Sequence, residues 1–231
     1  TFLQRAYDQI IHEVCLQNLP VIFAMDRAGL VGDDGPTHNG PFDIVYLRAI
    51  PNMTIMVPKD ENELQHMLYT ATFISGPSSV RFPRGAGIGI LLDSEFKKIE
   101  VGKAEILREG NDLLILGIGP MLYDAMQAVD ELKINATIIN ARFVKPIDNE
   151  LILNYSKKIK NIITLEEGTI NGGFGSAILE LLEDNGIKAN VKRIGIPDEF
   201  IEHGKQDIQK KIAGIDKEGI KLAINEILSR K

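Results

Sequence analysis

Pro20-Val-Ile-Phe-Ala-Met25 is a short, continuously apolar run that leads straight into a polar loop, and it decides how the first part of the chain folds. An apolar run of this length without alternation predicts a strand that is buried on both faces of a parallel sheet. Met53-Thr-Ile-Met-Val57 and Ser79-Val-Arg-Phe82 predict two further strands of the same kind. The first part of the chain is therefore predicted to contain a parallel sheet.

Helical patterns lie between these strands. Apolar residues recur at helical spacing over residues 2–17, and Asp60 with Glu63 resembles a capping box at the start of a helix that reaches about residue 71. Alternating strands and helices predict a parallel sheet covered by helices. Open sheets usually have about five or six strands, whereas only three are predicted here. We therefore expect the first unit to be an incomplete domain.

The rest of the chain predicts a complete α/β unit of ordinary domain size. Its predicted strands are residues 104–108, 112–117, 136–140, 161–165 and 191–196, and its predicted helices are residues 121–133, 148–158, 174–184, 205–213 and 216–229. The predicted fold class is α/β, with two three-layer units whose sheets are mainly parallel, the first being incomplete. The predicted domains are residues 1–98 and 99–231.

Composition narrows the class of protein. The chain is 44% hydrophobic and 25% charged, which is typical of a soluble globular protein, and its net charge of −6 argues against a nucleic-acid or anionic-membrane partner. No apolar run approaches the roughly 20 residues of a membrane helix. The single cysteine, Cys15, excludes an internal disulfide, and its helical context predicts a buried structural thiol. The chain begins at Thr1 without an initiator methionine, from which we expect a fragment.

Polar residues are concentrated in the loop Asp26-Arg-Ala-Gly-Leu-Val-Gly-Asp-Asp-Gly-Pro-Thr-His-Asn-Gly-Pro-Phe-Asp43, and Arg81-Phe-Pro-Arg-Gly85 ends a neighbouring predicted strand. Arg27 and Arg84 both follow short strands, and ligands of open parallel sheets gather outside the carboxyl ends of the strands. A guanidinium group binds phosphate oxygens in bidentate fashion. The alternative is that both arginines form surface salt bridges, but their rigid glycine- and proline-rich setting favours a functional role. Two arginines, a carboxylate and an imidazole in one cleft would suit a small phosphorylated, hydroxylated substrate.

His38 lies in the same loop, on no apolar helical face. A core histidine is expected more at His12 or His66, which lie in predicted helices, and His203 is expected to be an exposed loop residue. Imidazole exchanges protons near neutral pH, so His38 is a candidate catalytic residue. Asp34 could orient it or bind a substrate hydroxyl, or it could serve only the turn. No cluster has convincing metal-ligand spacing.

The turn Glu166-Glu-Gly-Thr-Ile-Asn-Gly-Gly-Phe-Gly-Ser176 joins a predicted strand to a predicted helix. Glycine-rich turns of this kind can cradle phosphate, but this one lacks both the P-loop ending and the order of glycines found in dinucleotide-binding folds. We favour a packing turn or a subunit contact.

Taken together, these motifs resemble the 1-deoxy-D-xylulose-5-phosphate synthase family of transketolase-like enzymes. The segments that carry the resemblance are Thr1-Phe-Leu-Gln-Arg-Ala-Tyr-Asp8, Asp26-Arg-Ala-Gly29, Asp34-Gly-Pro-Thr-His38, Tyr46-Leu-Arg-Ala-Ile-Pro51, Pro58-Lys-Asp-Glu-Asn62, Arg81-Phe-Pro-Arg-Gly85, Phe143-Val-Lys-Pro146, the Glu-Glu-Gly turn and Gly195-Ile-Pro-Asp198. The resemblance implies the back part of a pyrimidine-binding domain followed by a transketolase C-terminal domain.

The resemblance also implies an activity and roles for residues. The family condenses pyruvate with glyceraldehyde 3-phosphate and releases carbon dioxide, using thiamine diphosphate and Mg²⁺, for isoprenoid, thiamine and pyridoxal precursor synthesis. It implies a cytoplasmic homodimer. Phe2 resembles the aromatic residue that stacks on the cofactor's aminopyrimidine, Arg27 and Arg84 the arginines that hold the aldehyde phosphate, and Asp34 and His38 the polar groups that face the substrates.

The resemblance has one large gap. The family's Gly-Asp-Gly metal and diphosphate motif, and the glutamate that activates the aminopyrimidine, would precede Thr1. We therefore expect this chain to need its N-terminal segment as a partner and to be inactive alone. The alternatives are a C-terminal subunit of a split transketolase-like enzyme, against which the incomplete first sheet argues, and a non-catalytic α/β ligand-binding module.

Overall fold

The computed structural model describes residues 1–229, which form two β-sheets covered by helices. The strands are β1 (Ile22–Met25), β2 (Thr54–Met56), β3 (Ser78–Arg81), β4 (Glu105–Arg108), β5 (Leu113–Gly117), β6 (Ala136–Asn140), β7 (Phe143–Lys145), β8 (Asn161–Thr169) and β9 (Asn190–Ile196). The helices are α1 (Tyr7–Gln9), α2 (Asp43–Arg48), α3 (Glu61–Ala71), α4 (Met121–Leu132), α5 (Asn149–Lys158), α6 (Phe174–Asp184), α7 (Gln206–Ile212) and α8 (Lys217–Ser229). None of the helices described combines the length and apolar character that spanning a membrane requires. The last two residues of the predicted second domain, 230 and 231, lie outside the described residues.

The first sheet has the order β1-β3-β2-β7, and its first three strands are parallel, as predicted. Strands β2 and β3 are fully buried. The prediction that the first strand is buried on both faces was wrong, because β1 lies at the sheet edge and its residues alternate between exposed and half-buried. Ile22 is 38% exposed. An edge strand lacks a neighbour on one side, so its side chains have fewer atoms against which to pack.

The helix predicted at residues 2–17 is helical but not a regular α-helix. A 3₁₀ segment at Phe2–Ala6 leads into the single turn α1, and a π-helix at Ile10–Cys15 follows. The apolar stripe still faces inward, because Ile10 and Cys15 are buried in the core. Cys15 is thus the buried thiol that its pattern predicted.

Two short elements were not predicted. Strand β7 comes from the second unit and pairs antiparallel with β2 in the first sheet, with Ile55 opposite Lys145 and Met56 opposite Phe143. Helix α2 lies where the sequence predicted only loop. The first sheet therefore has four strands within the described residues rather than the three predicted, and the second unit supplies the fourth.

The second sheet has the order β4-β6-β5-β8-β9 and is parallel except for the β4–β6 pair. Every strand and helix predicted for this unit is present. Along β5, Leu113 and Ile115 enter one apolar core with α4 and α8, while Leu114 and Leu116 enter another with α6. This alternation gives a sheet with helices on both faces. The core that Leu114 and Leu116 enter also contains residues of the first unit, so the two units share an apolar core and pack as one body.

Candidate active-site loop and its cavity

The loop between β1 and α2 begins at the carboxyl end of the first sheet. Met25 and Arg81, which end β1 and β3, are paired neighbours, so Arg27 and Arg84 follow adjacent strands. Backbone hydrogen bonds between Gly29 and Gly40, of 2.9 and 2.8 Å, close the loop. The sequence therefore brings two arginines to one edge of the sheet because their strands lie side by side.

Asp34 connects the two arginines. Its Oδ2 lies 3.4 Å from Arg27 Nη1 and 3.0 Å from Arg84 Nη1. The Arg27 and Arg84 side chains are 45% and 41% exposed, so both keep solvent-accessible surface beside the shared carboxylate. Arg84 Nη1 also donates a hydrogen bond to the carbonyl of Val31. Three of the predicted site residues thus form one charged cluster.

Phe2 and His38 form a second contact next to this cluster. Their rings meet edge to face with centroids 5.4 Å apart, and Phe2 is 57% exposed. Both residues line a cavity of about 580 Å³, together with Arg27 and strand β1. Arg84 lines a different cavity of about 290 Å³, where Gln206 and Lys210 of α7 form part of the wall. The cavity thus brings Phe2, Arg27 and His38 together, and Asp34 links Arg27 to Arg84.

Arg5 is a nearby residue that the sequence did not single out. Its guanidinium carbon lies 5.6 Å from the centroid of the Phe2 ring. Residues three apart on a helical segment share a face, and this spacing could have indicated the pair.

A buried ion pair includes Asp43, one of the residues that line the cavity. Arg81 Nε donates to Asp43 Oδ2 at 2.6 Å, and Arg81 Nη2 donates to the carbonyl of Glu167 at 3.0 Å. Both side chains are less than 10% exposed. In such a buried pair, loss of either partner would leave the other charge buried without compensation. Burial first, and then the charge of Asp43, raise the pKa of Tyr46, which also lines the cavity. Tyr46 therefore stays a neutral phenol at neutral pH.

The second unit bonds directly to the loop backbone. Glu167 accepts a hydrogen bond from Leu30 N, Gln206 donates to Leu30 O, and Gln209 bonds both backbone groups of Gly32. The sequence did not predict that these side chains contact the loop, because they lie more than 130 positions from it and no local pattern marks the contact.

In the glycine-rich turn, the Glu166 side chain binds the backbone N–H groups at the start of α6. Glu166 is buried, and its carboxylate accepts hydrogen bonds from Phe174 N at 2.7 Å and Gly175 N at 2.8 Å. A Cβ on Gly175 would lie only 2.5 Å from the Thr164 hydroxyl oxygen. Contacts within the domain thus explain why the turn has an acid at Glu166 and a glycine at Gly175.

The remaining histidines differ from one another. His66 is buried and bonds Asp93 at 2.9 Å, as expected of a core histidine, and His203 is exposed as expected. The expectation for His12 was wrong, because its side chain is 62% exposed and pairs with Asp8 on the solvent side of the segment. Residues 1–229 contain no group of three His, Cys, Asp or Glu side chains that could hold a metal ion.

Comparison with known proteins agrees with this architecture. Residues 1–87 match the family model "Transketolase, pyrimidine binding domain", and residues 102–220 match "Transketolase, C-terminal domain". A solved structure described as "Split gene transketolase, inactive beta4 tetramer" superposes with a TM-score of 0.87 at 27% identity, covering 99% of this chain and 73% of that one. The predicted fold class is confirmed.

Curated relatives add a narrower similarity. The 1-deoxy-D-xylulose-5-phosphate synthase of Syntrophus aciditrophicus is 55% identical over 99% of this chain, and 1-deoxy-D-xylulose-5-phosphate synthase 1 of Geobacter sulfurreducens is 56% identical over 100% of it. The chain spans only 36% and 37% of the length of these two relatives. The resemblance predicted from the motifs is confirmed. The chain belongs to the transketolase family, and it is similar along its whole length to 1-deoxy-D-xylulose-5-phosphate synthases.

Proposed function

We propose that this chain is the C-terminal part of a 1-deoxy-D-xylulose-5-phosphate synthase, which condenses pyruvate with glyceraldehyde 3-phosphate and releases carbon dioxide. The observation that carries the proposal is the cluster of Arg27, Asp34 and Arg84 beside a cavity lined by Phe2 and His38. The product would supply isoprenoid, thiamine and pyridoxal precursors.

The charged cluster would bind the phosphate of the acceptor aldehyde. Arg27 and Arg84 share the Asp34 carboxylate, and an arriving phosphate group could take bidentate hydrogen bonds from the exposed parts of both guanidinium groups. The carboxylate between them limits their mutual repulsion and holds them at one spacing. Asp34 would also be close enough to this phosphate site to accept a hydrogen bond from an acceptor hydroxyl.

His38 would exchange a proton with the oxygen of the acceptor aldehyde. Its Nδ1 lies 2.9 Å from the Thr37 hydroxyl, and its ring edge or face packs against Phe2. The hydrogen bond and the ring contact together limit the orientations of the imidazole, as a residue that exchanges a proton with a substrate oxygen requires. We assign His38 the proton transfer to or from the acceptor aldehyde.

The cavity fits a flat cofactor ring. Phe2 exposes more than half of its surface, and the cavity of about 580 Å³ is large enough for an aromatic ring beside it. When bound, thiamine diphosphate supplies the electron sink for decarboxylating pyruvate. By the resemblance to the family, we further propose that residues outside this chain, on an N-terminal segment, bind Mg²⁺ and most of the diphosphate. A homodimer, a cytoplasmic location and a domain boundary near residues 98–99 belong to the same proposal.

A chimera tests the activity. This chain would replace the matching segment, 37% of the length, of the Geobacter sulfurreducens relative. We expect the folded chimera to release carbon dioxide from pyruvate, with stimulation by glyceraldehyde 3-phosphate, and the isolated chain to release none. Carbon dioxide release that the aldehyde does not stimulate would refute the proposed acceptor.

A split transketolase subunit is the second candidate, because the solved structure described as a split-gene transketolase superposes on nearly the whole chain. That enzyme class would transfer a two-carbon unit from a ketose phosphate and release no carbon dioxide. Offering the chimera a ketose phosphate in place of pyruvate separates the two candidates.

A further inference from the structure

Gln209 makes a two-point contact with the active-site loop. It is 1% exposed, its Oε1 accepts a hydrogen bond from Gly32 N at 2.7 Å, and its Nε2 donates to Gly32 O at 3.2 Å and to Glu202 O at 2.8 Å. One side-chain amide thus bonds both backbone groups of Gly32, as a neighbouring strand would. Gly32 has a φ of 80° and lies two residues before Asp34, so this contact fixes the backbone that carries the shared carboxylate.

Gln206 connects the two segments that carry the arginines. Its Nε2 donates to Leu30 O at 2.6 Å and to Arg84 O at 3.4 Å. Leu30 lies three residues after Arg27, and the second acceptor is the carbonyl of Arg84 itself. A single amide group therefore ties the loop after β1 to the end of β3.

Glu167 adds a third contact from the same unit. Its Oε1 accepts from Leu30 N at 3.1 Å, and its Oε2 lies 3.1 Å from Lys210 Nζ, one position from Gln209 on α7. A Cβ at Gly29 would lie only 2.4 Å from Glu167 Cγ, so the loop backbone is pressed against this side chain. The second unit thus holds the loop at residues 29–32 from several directions.

These contacts hold the two backbone segments that carry the guanidinium groups of Arg27 and Arg84. The arginine side chains reach the same carboxylate from different backbone segments, so a shift of either segment changes their spacing. A phosphate group bound by two fork-shaped donors is sensitive to that spacing. We propose that Gln206 and Gln209 are positioning residues that set the spacing of Arg27 and Arg84 for one phosphate group. This inference rests on the proposed function through the phosphate-binding role of the two arginines.

The test is a titration of the 231-residue chain with inorganic phosphate. Binding is measured from the NMR signals of the Arg27 and Arg84 Nε–H groups. Gln206→Met and Gln209→Met remove the amide bonds while keeping a side chain of similar length. Gln127→Met, at an exposed position of α4, is the matched control. We expect each loop variant to weaken phosphate binding by about 10-fold, which is the effect of impairing one charge-assisted contact, and the control to leave it unchanged.

A second readout separates positioning from general stability. In the chimera, Gln206→Met should raise KM for glyceraldehyde 3-phosphate by about 10-fold and leave KM for pyruvate within about 2-fold, because only the phosphorylated substrate uses both arginines. Amide hydrogen exchange at Gly32 should also become faster in Gln209→Met, which loses the acceptor for Gly32 N.

The outcomes are distinguishable. If the wild-type arginine signals do not respond to phosphate, the phosphate role of the arginines fails and the positioning inference fails with it. If they respond equally in wild type and in folded Gln206→Met and Gln209→Met, the arginine role stands and the positioning inference is overturned. If Gln209→Met does not fold, Gln206→Met decides alone, since Gln206 lies at the partly exposed start of α7.

Discussion

Arg27 adopts a left-handed backbone conformation, with a φ of 58°, directly after the edge strand β1. Residues with a Cβ seldom adopt this conformation, and such strain is concentrated at functional sites. The surrounding loop holds it in place through the Gly29–Gly40 backbone pair and the ion pair with Asp34. At the scale of single residues, the site is therefore a set of charges whose directions depend on a closed loop.

Arg84→Ala tests the charge cluster. Losing one charge-assisted phosphate contact should cost about 1.5–3 kcal/mol, or about 10- to 150-fold in apparent affinity for glyceraldehyde 3-phosphate. Pyruvate, which carries no phosphate, should bind almost as before. Steady-state kinetics of the chimera measure both values, with Arg108→Ala as a control at an exposed ion pair in the second unit. Equal weakening of both substrates would make Arg84 a structural residue.

Helix α6 shows how an element is anchored by one acid of its preceding turn. The Glu166 carboxylate bonds the Phe174 and Gly175 amides, while burial raises the pKa of this carboxyl and the two amide donors oppose that shift. The next residue, Glu167, instead accepts a hydrogen bond from Leu30 in the loop after β1. Adjacent acids of one turn thus serve two different elements, one anchoring a helix and the other holding a loop.

Glu166→Gln tests this anchor. An amide keeps one acceptor oxygen but turns its NH₂ group toward a backbone N–H, which leaves a buried donor without an acceptor. We expect a loss of about 1–3 kcal/mol in the free energy of unfolding, measured by urea denaturation. Glu183→Gln, at an exposed position of the same helix, should change it by less than about 0.5 kcal/mol. Equal effects would show that the α6 amides do not depend on Glu166.

On the scale of the whole molecule, the two units are joined by a shared sheet and a buried polar network. Strand β7 of the second unit adds a fourth strand to the first sheet, beside β2. Next to it, Glu63 is 2% exposed at its side chain and accepts hydrogen bonds from Arg142 Nε at 2.7 Å and from Asn140 Nδ2 at 2.9 Å. These contacts predict that the two units unfold together in one transition.

Glu63→Gln tests the coupling between the units. Removing one member of a buried ion pair should destabilise the chain by about 3–5 kcal/mol, whereas Asp130→Asn, at the exposed pair with Arg108, should cost less than about 1 kcal/mol. Thermal unfolding monitored by circular dichroism measures both. Two separate transitions in the wild type, or equal losses in the two variants, would contradict this prediction.

The sequence by itself determined the fold class, the strands and helices of the second unit other than β7, and the residues grouped in the loop after β1, because hydrophobic periodicity and turn residues act over short distances. Only the tertiary structure decided that β1 is an edge strand, that β7 joins the first sheet, and that Asp34 contacts both arginines. Strand β7 has only three residues, which is too short for a hydrophobic pattern to predict it. Gln209 lies 177 positions from Gly32, and their contact exists only because the packed units bring α7 against the loop.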